Sequence, residues 1–181
     1  YLLEAFQNKG YAQIVFIPNT IEIANYQFKL RQDSIPKILW VRSLSSIYNP
    51  EMALKVFYEM KKEFPKAELC MVGPDLDNML TSLKQMANDL GLEVTFTKKI
   101  KKSDWIALSE NYSVFINTTH FDNTPVSVME AMALGLPVVS TNVGGIPYLL
   151  EDHKTALLVN DNDVMAMVDC IKKLTIDVEL K

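Results

Sequence analysis

Short apolar runs alternate with amphipathic stretches along the whole chain. IVFI (14–17), closed by Pro18, predicts a strand, and KILWV (37–41), entered through Pro36, predicts a second. PEMALKVFYEMKKEF (50–64) carries Met52, Val56, Phe57 and Met60 at helical spacing, with Pro50 in the first turn. ELCMV (68–72) predicts a strand that ends at Gly73-Pro74. LDNMLTSLKQMANDL (76–90) predicts a helix stopped by Gly91. Further along come a strand at 92–96, a short helix at 103–110 with Ser103 as its N-cap, and a strand at 112–117. The last third predicts a helix at 125–134, the strand PVVS (137–140), a helical turn near 146–150, the strand TALLV (155–159) and a final helix at 161–175.

Strands alternating with helices imply βαβ units, hence an α/β fold whose mostly parallel sheet is covered on both faces. Such sheets take ligands at the carboxyl ends of their strands. The loops of interest are therefore 42–49, 73–75, 97–102, 118–125 and 141–146.

Composition narrows the classes. The chain has 181 residues, enough for one domain with its own core; 49% are hydrophobic and 22% charged. A net charge of −4 argues against a general nucleic-acid binder. Cys70 and Cys170 sit in apolar surroundings without metal-ligand spacing and read as reduced core thiols of a cytosolic protein. No apolar run approaches the ~18 residues of a membrane span, and no signal peptide is evident. The first residue is Tyr1 rather than Met, as expected of a piece of a longer protein.

The chemistry concentrates in FDNTPVSVMEAMALGLPVVSTNVGG (121–145). Thr124-Pro125 would open the helix, Thr124 as cap and Pro125 in the first helical position, and Leu134-Gly135 would close it, with Met129, Met132 and Ala133 facing inward. The free amides of a helix start are a seat for phosphate. Pro125 has no N–H, so Thr124, Val126 and Ser127 are the expected donors. Asp122 precedes the helix and Glu130 lies inside it, roughly 7 Å further along the axis. A carboxylate touching a diphosphate would repel it. Asp122, with Asn123 beside it, and Glu130 are better suited to accept from sugar hydroxyls on either side, and a nucleotide sugar fits that layout. Gly144-Gly145 would let backbone approach such a ligand. Other readings stay open: Ser127-x-x-Glu130 is also a capping-box pattern, Asp122 also a loop residue facing water, and Gly-Gly also a turn.

The same run resembles the donor-site signature of retaining, nucleotide-sugar-dependent glycosyltransferases of the GT-B architecture: Glu, seven residues, Glu, then Ala-Met-Ala, a small residue, Gly-x-Pro-Val-Val and a later Gly-Gly. IVFIPNTIEI resembles that family's interdomain hinge, KILWVRSL its first strand and phosphate loop, and AELCMVGPD the strand and loop near the nucleoside. The resemblance implies a Rossmann-like α/β/α sandwich, the C-terminal half of a GT-B enzyme. Residues 1–30 would be the hinge segment and 31–181 the donor-binding domain. It implies that Glu130 holds ribose, that Asp122 contacts the donor sugar near the reacting centre, and that Arg42, Gly73, Asn123, Thr124, Val126 and Ser127 bind the rest of the donor. The donor would be UDP- or GDP-linked, with no cofactor or metal. The acceptor would be a glycan or a lipid-linked glycan, held mainly by an N-terminal domain, in cell-surface polysaccharide biosynthesis. Such a protein would be cytoplasmic, with peripheral contact at the inner face of the membrane. The fragment alone would bind donor weakly and transfer nothing. The alternatives are a nucleotide-sugar epimerase or sugar phosphorylase of the same fold, or a degenerate binding module.

Two positions depart from the family pattern. Asp122 is one methylene shorter than the family's Glu. The phosphate loop reads Arg42-Ser43-Leu44 where the family has Gly-Arg-Leu, and the Lys that follows there is absent. A diphosphate carries about two negative charges and a helix end supplies only about +0.5, so a cation must make up the difference. Arg42 is the first candidate, with Lys98 or Lys99 behind it; the alternative leaves Arg42 facing solvent.

KKIKK (98–102) would otherwise be a solvated loop, or bind phosphate or an anionic membrane surface. Asp75-Leu76-Asp77 has a metal-binding form, but Asp75 is also a natural N-cap. His120 could line the cleft, and His153 reads as a turn residue. No G-x-G-x-x-G follows an early strand.

Overall fold

The computed structural model describes residues 2–177 of the chain. A helix α1 (Leu2–Asn8) and an extended stretch lead into an alternating core: β1 (Lys37–Val41), α2 (Pro50–Glu63), β2 (Glu68–Val72), α3 (Leu80–Asp89), β3 (Thr95–Phe96), α4 (Lys102–Ser109), β4 (Val114–Asn117), α5 (Val126–Ala133), β5 (Val138–Thr141), α6 (Ile146–Leu149), β6 (Leu157–Val159) and α7 (Val164–Ile176). The six strands form one sheet in the order β3-β2-β1-β4-β5-β6, and every pairing is parallel. From β1 the chain winds outward through β2 and β3, then returns to pair β4 with β1 and winds the other way. A crevice opens at the carboxyl ends of the strands where that direction reverses.

Successive residues of a strand point to opposite faces. Ile38 and Trp40 of β1, Met71, Ile116 and Val139 therefore join one core with Met52, Phe57 and Met60 of α2, Leu83 of α3 and Met167 and Ile171 of α7. Leu39, Cys70, Phe115 and Val138 join the other with Trp105 of α4, Val128 and Ala131 of α5, and Ile146. Because both faces are buried, the strands read as continuous apolar runs. The expected α/β/α sandwich is the observed fold.

Several boundaries differ from expectation for local reasons. Residues 14–17 form no strand; Val15, Phe16 and Ile17 are 82%, 66% and 83% exposed. Strand-forming side chains do not make a strand without a sheet edge and a packing face. The helix expected from 76 starts at Leu80, because Asn78 is left-handed (φ 56°) and the Asp75 carboxylate accepts from the Met79 amide at 2.7 Å. Ser103 lies within α4 rather than capping it; Lys101 holds the cap position, and the Ser103 hydroxyl donates to Asp104. α5 begins at Val126, with Pro125 as the extended cap residue, so Thr124 is not the cap. Its buried residues are Val128, Glu130 and Ala131; Met132 and Ala133 are half-buried and pack against the same core, as expected, while Met129 is only half-buried. α7 begins at Val164, capped by Asp163, whose carboxylate accepts from the Ala166 amide at 3.0 Å. No helix among the described residues is long and apolar enough to cross a membrane.

Candidate functional site

At the carboxyl ends of β1 and β2 lies a crevice of about 270 Å³, lined among others by Arg42, Tyr48, Gly73, Lys99, Trp105 and Ser127. Three loops are stitched together to make it. The Arg42 amide donates to Val72 O at 3.0 Å, the Leu44 amide to Pro74 O at 2.7 Å, and the Gly73 amide to Lys98 O at 3.3 Å. A Cβ on residue 73 would stand 1.8 Å from Arg42 O, so only glycine lets the loops meet this closely.

Arg42 does not face solvent. Its guanidinium pairs with the Asp122 carboxylate and sits 4.8 Å from the centre of the Tyr48 ring. Burial lowers its pKa from the ordinary value, and the Asp122 charge opposes that; an arginine stays cationic throughout. Its Nε is buried with no partner among the described residues, and so is the Ser127 hydroxyl. Both belong to residues that line the crevice.

Asp122 is held by backbone. The Gly145 amide donates to Asp122 O at 2.7 Å. Cβ atoms on residues 144 and 145 would lie 2.3 Å from Asp122 O and 2.0 Å from Asn123 O. Gly144-Gly145 thus permits close approach to the chain's own acidic loop. Asn123 is exposed in that loop. The Thr124 carbonyl accepts from the Asn19 side chain at 3.0 Å, across 105 positions of sequence. At the start of α5, Pro125 O receives the Val128 and Met129 amides, which leaves those of Val126 and Ser127 ahead of the first intrahelical bond.

Glu130 is only 5% exposed. It is not part of a capping box, since Ser127 is the second residue of the helix. The Glu130 Oε1 instead accepts from the Tyr26 hydroxyl at 2.7 Å and faces Lys102 Nζ at 2.6 Å. The contact of Lys102 with Glu130, and after it that with Tyr26, raises the Lys102 pKa, and burial foremost raises that of Tyr26. Sequence reasoning missed Tyr26, and it took 98–102 as one basic run. The fold divides that run: Lys98 O meets Gly73, Lys99 lines the crevice, Lys101 precedes α4 and Lys102 reaches Glu130.

The remaining candidates have structural partners. Asp77 accepts from the Ser45 hydroxyl at 2.7 Å and the Ser46 amide at 2.9 Å, which pins the loop after β1; the Ser45 bond leads in holding its pKa below the usual aspartate range. Among the described residues no group of three or more His, Cys, Asp or Glu could hold a metal ion. His120 Nδ1 lies 2.9 Å from Asp161, and His153 occupies a turn at φ 60°.

The family model for glycosyl transferases group 1 matches residues 23–181. The chain belongs to that family. An uncharacterized glycosyltransferase of Haemophilus influenzae is 29% identical over 168 residues, 90% of this chain and 47% of that protein. A mutant of TarM from S. aureus, solved in complex with fondaparinux, alpha-GlcNAc-glycerol and UDP, superposes with a TM-score of 0.85 at 18% identity, over 98% of this chain and 36% of that one. The C-terminal domain of a group 1 family glycosyl transferase from Francisella tularensis superposes with a TM-score of 0.76 at 18% identity, over 89% of this chain and 90% of that one. The fold of this glycosyltransferase domain is thus the Rossmann-like C-terminal half of the GT-B architecture. The chain spans less than half the length of the curated relatives it matches first.

Proposed function

We propose that this group 1 domain binds the nucleotide-sugar donor of a retaining glycosyltransferase, one that moves the sugar to a glycan or lipid-linked acceptor in cell-surface polysaccharide assembly on the cytoplasmic side of the membrane. The observation that carries the reading is that Arg42 and Ser127 both line the strand-end crevice, while the Arg42 Nε and the Ser127 hydroxyl are buried without a partner among the described residues. Buried polar groups in native proteins have partners, and a diphosphate supplies acceptors for both. The free amides of Val126 and Ser127 add further donors, and Lys99 stands as the second cation where the family's phosphate-loop Lys is missing. In this reading a bound diphosphate takes over Arg42 and releases Asp122 toward the donor sugar, while Glu130 accepts from the ribose. No metal is needed, because cations and amides of the chain meet the leaving-group charge. The acceptor would come with the rest of a longer protein.

Calorimetric titration of UDP, GDP and ADP into the domain tests this. One nucleotide should bind, and Arg42→Ala and Glu130→Ala should each weaken it about tenfold or more, the scale of a hydrogen bond to a charged group. Unchanged binding by both variants refutes the site. A second reading, a degenerate module, draws on the internal pairing of Arg42 with Asp122 and of Lys102 with Glu130, which leaves both acids already neutralised. Failure of all three nucleotides to bind would favour it.

A further inference from the structure

Three segments far apart in sequence meet at one carboxylate. Glu130 comes from α5, Lys102 is the first residue of α4, and Tyr26 lies in the stretch before β1. Lys102 Nζ also sits 5.6 Å from the centre of the Tyr26 ring, so the two partners are packed on each other as well as on the acid. Both contacts land on the same oxygen, Oε1. Among the described residues Oε2 accepts no hydrogen bond, although the side chain is only 7% exposed.

We infer that Tyr26 and Lys102 are positioning residues: they fix one oxygen of Glu130 so that the other is presented to the ribose diol, and they thereby set a preference for ribonucleotides over deoxynucleotides. The inference rests on the proposed role of Glu130. A carboxylate bonded through one oxygen to two partners from different elements cannot swing about its terminal torsion, which is otherwise broad. Its free oxygen then has a fixed direction, and a fixed acceptor discriminates a hydroxyl from its absence better than a mobile one. Neither residue touches the ligand in this scheme; both act through Glu130.

The test is calorimetric titration of UDP and GDP, each against its 2′,3′-dideoxy analogue, into the wild-type domain and into Glu130→Gln, Lys102→Met, Lys102→Arg and Tyr26→Phe. The wild type should favour the ribonucleotide by about tenfold, or 1.4 kcal/mol, and Glu130→Gln should remove most of that ratio. Lys102→Met and Tyr26→Phe should each shrink the ratio at least threefold, with dideoxynucleotide affinity changed less than twofold, and Lys102→Arg should restore it. A merely structural role would lower both affinities together and leave the ratio intact; that result overturns the inference. So does loss of the ratio in Glu130→Gln with its full retention in Lys102→Met and Tyr26→Phe, which leaves the ribose role of Glu130 standing. Absence of any ribonucleotide preference in the wild type removes the Glu130 reading and this inference together. Lys102 is more than half exposed and Tyr26→Phe keeps the ring, so both variants are expected to fold; thermal melts check this.

Discussion

A single methyl group at position 145 would sit 2.0 Å from the Asn123 carbonyl oxygen, so the loop that carries Asp122 would have to move. Gly145→Ala is expected to destabilise the domain by about 1–3 kcal/mol, the usual range for a forced steric rearrangement, and to weaken nucleotide binding as well; urea denaturation and calorimetry read the two effects. Asp77 gives a prediction in pH. Its pKa is depressed in the folded state, so its bonds to Ser45 and Ser46 stabilise the loop above the ordinary aspartate range and are lost as pH falls below it. Asp77→Asn should therefore lower stability at pH 7, flatten the acid limb of a stability-versus-pH curve and change little at acid pH. At this scale the acids and Arg42 were legible, because their spacing around a helix start and a strand end has chemical meaning without coordinates. Tyr26 was not legible: its bond to Glu130 spans 104 positions, and nothing local to an exposed stretch announces a buried hydroxyl.

Among the elements, α2 shows how a loop and a helix share one residue. Asn49 adopts a left-handed backbone (φ 49°), accepts the Met52 amide at 3.2 Å and donates to Asn162 at 3.0 Å. Asn49→Ala should lose the cap and strain the turn, at a cost of about 1–2 kcal/mol, whereas Asn49→Gly should cost only a few tenths on helix capping; the difference is measurable by chemical denaturation. Helix interiors and buried strands were readable from periodicity. The start of α2 at Pro50 was readable too. Those of α3 and α7 were not, since they depend on where Asp75 and Asp163 send their carboxylates. The run 14–17 has the composition of a strand, but it pairs with none of the six strands and lies open to solvent.

For the whole molecule, Arg31 is the long-range tie. Only 2% exposed, it donates to the carbonyls of Ser109, Tyr112 and Leu134, which joins the ends of α4 and α5 to the segment before β1. Arg31→Met would leave three buried carbonyls without that donor and should lower stability by about 2–4 kcal/mol, each lost charged bond being worth about 1.5–3 kcal/mol before relaxation. Alternating strands and helices made the parallel sheet foreseeable. The order β3-β2-β1-β4-β5-β6, and hence which loops meet, depends on pairings between distant segments that no local pattern carries.

On the proposed donor-site reading, the ion pair between Arg42 and Asp122 would have a further consequence for selectivity. The guanidinium holds an anion of the protein's own, so an incoming phosphate must compete with that carboxylate for Arg42. One phosphate group offers little advantage in that exchange; two linked groups reaching Arg42 and the α5 amides together offer a clear one. The domain would therefore screen molecules by their number of phosphates before it reads the sugar, and would ignore nucleoside monophosphates and free sugars at concentrations where an activated donor binds.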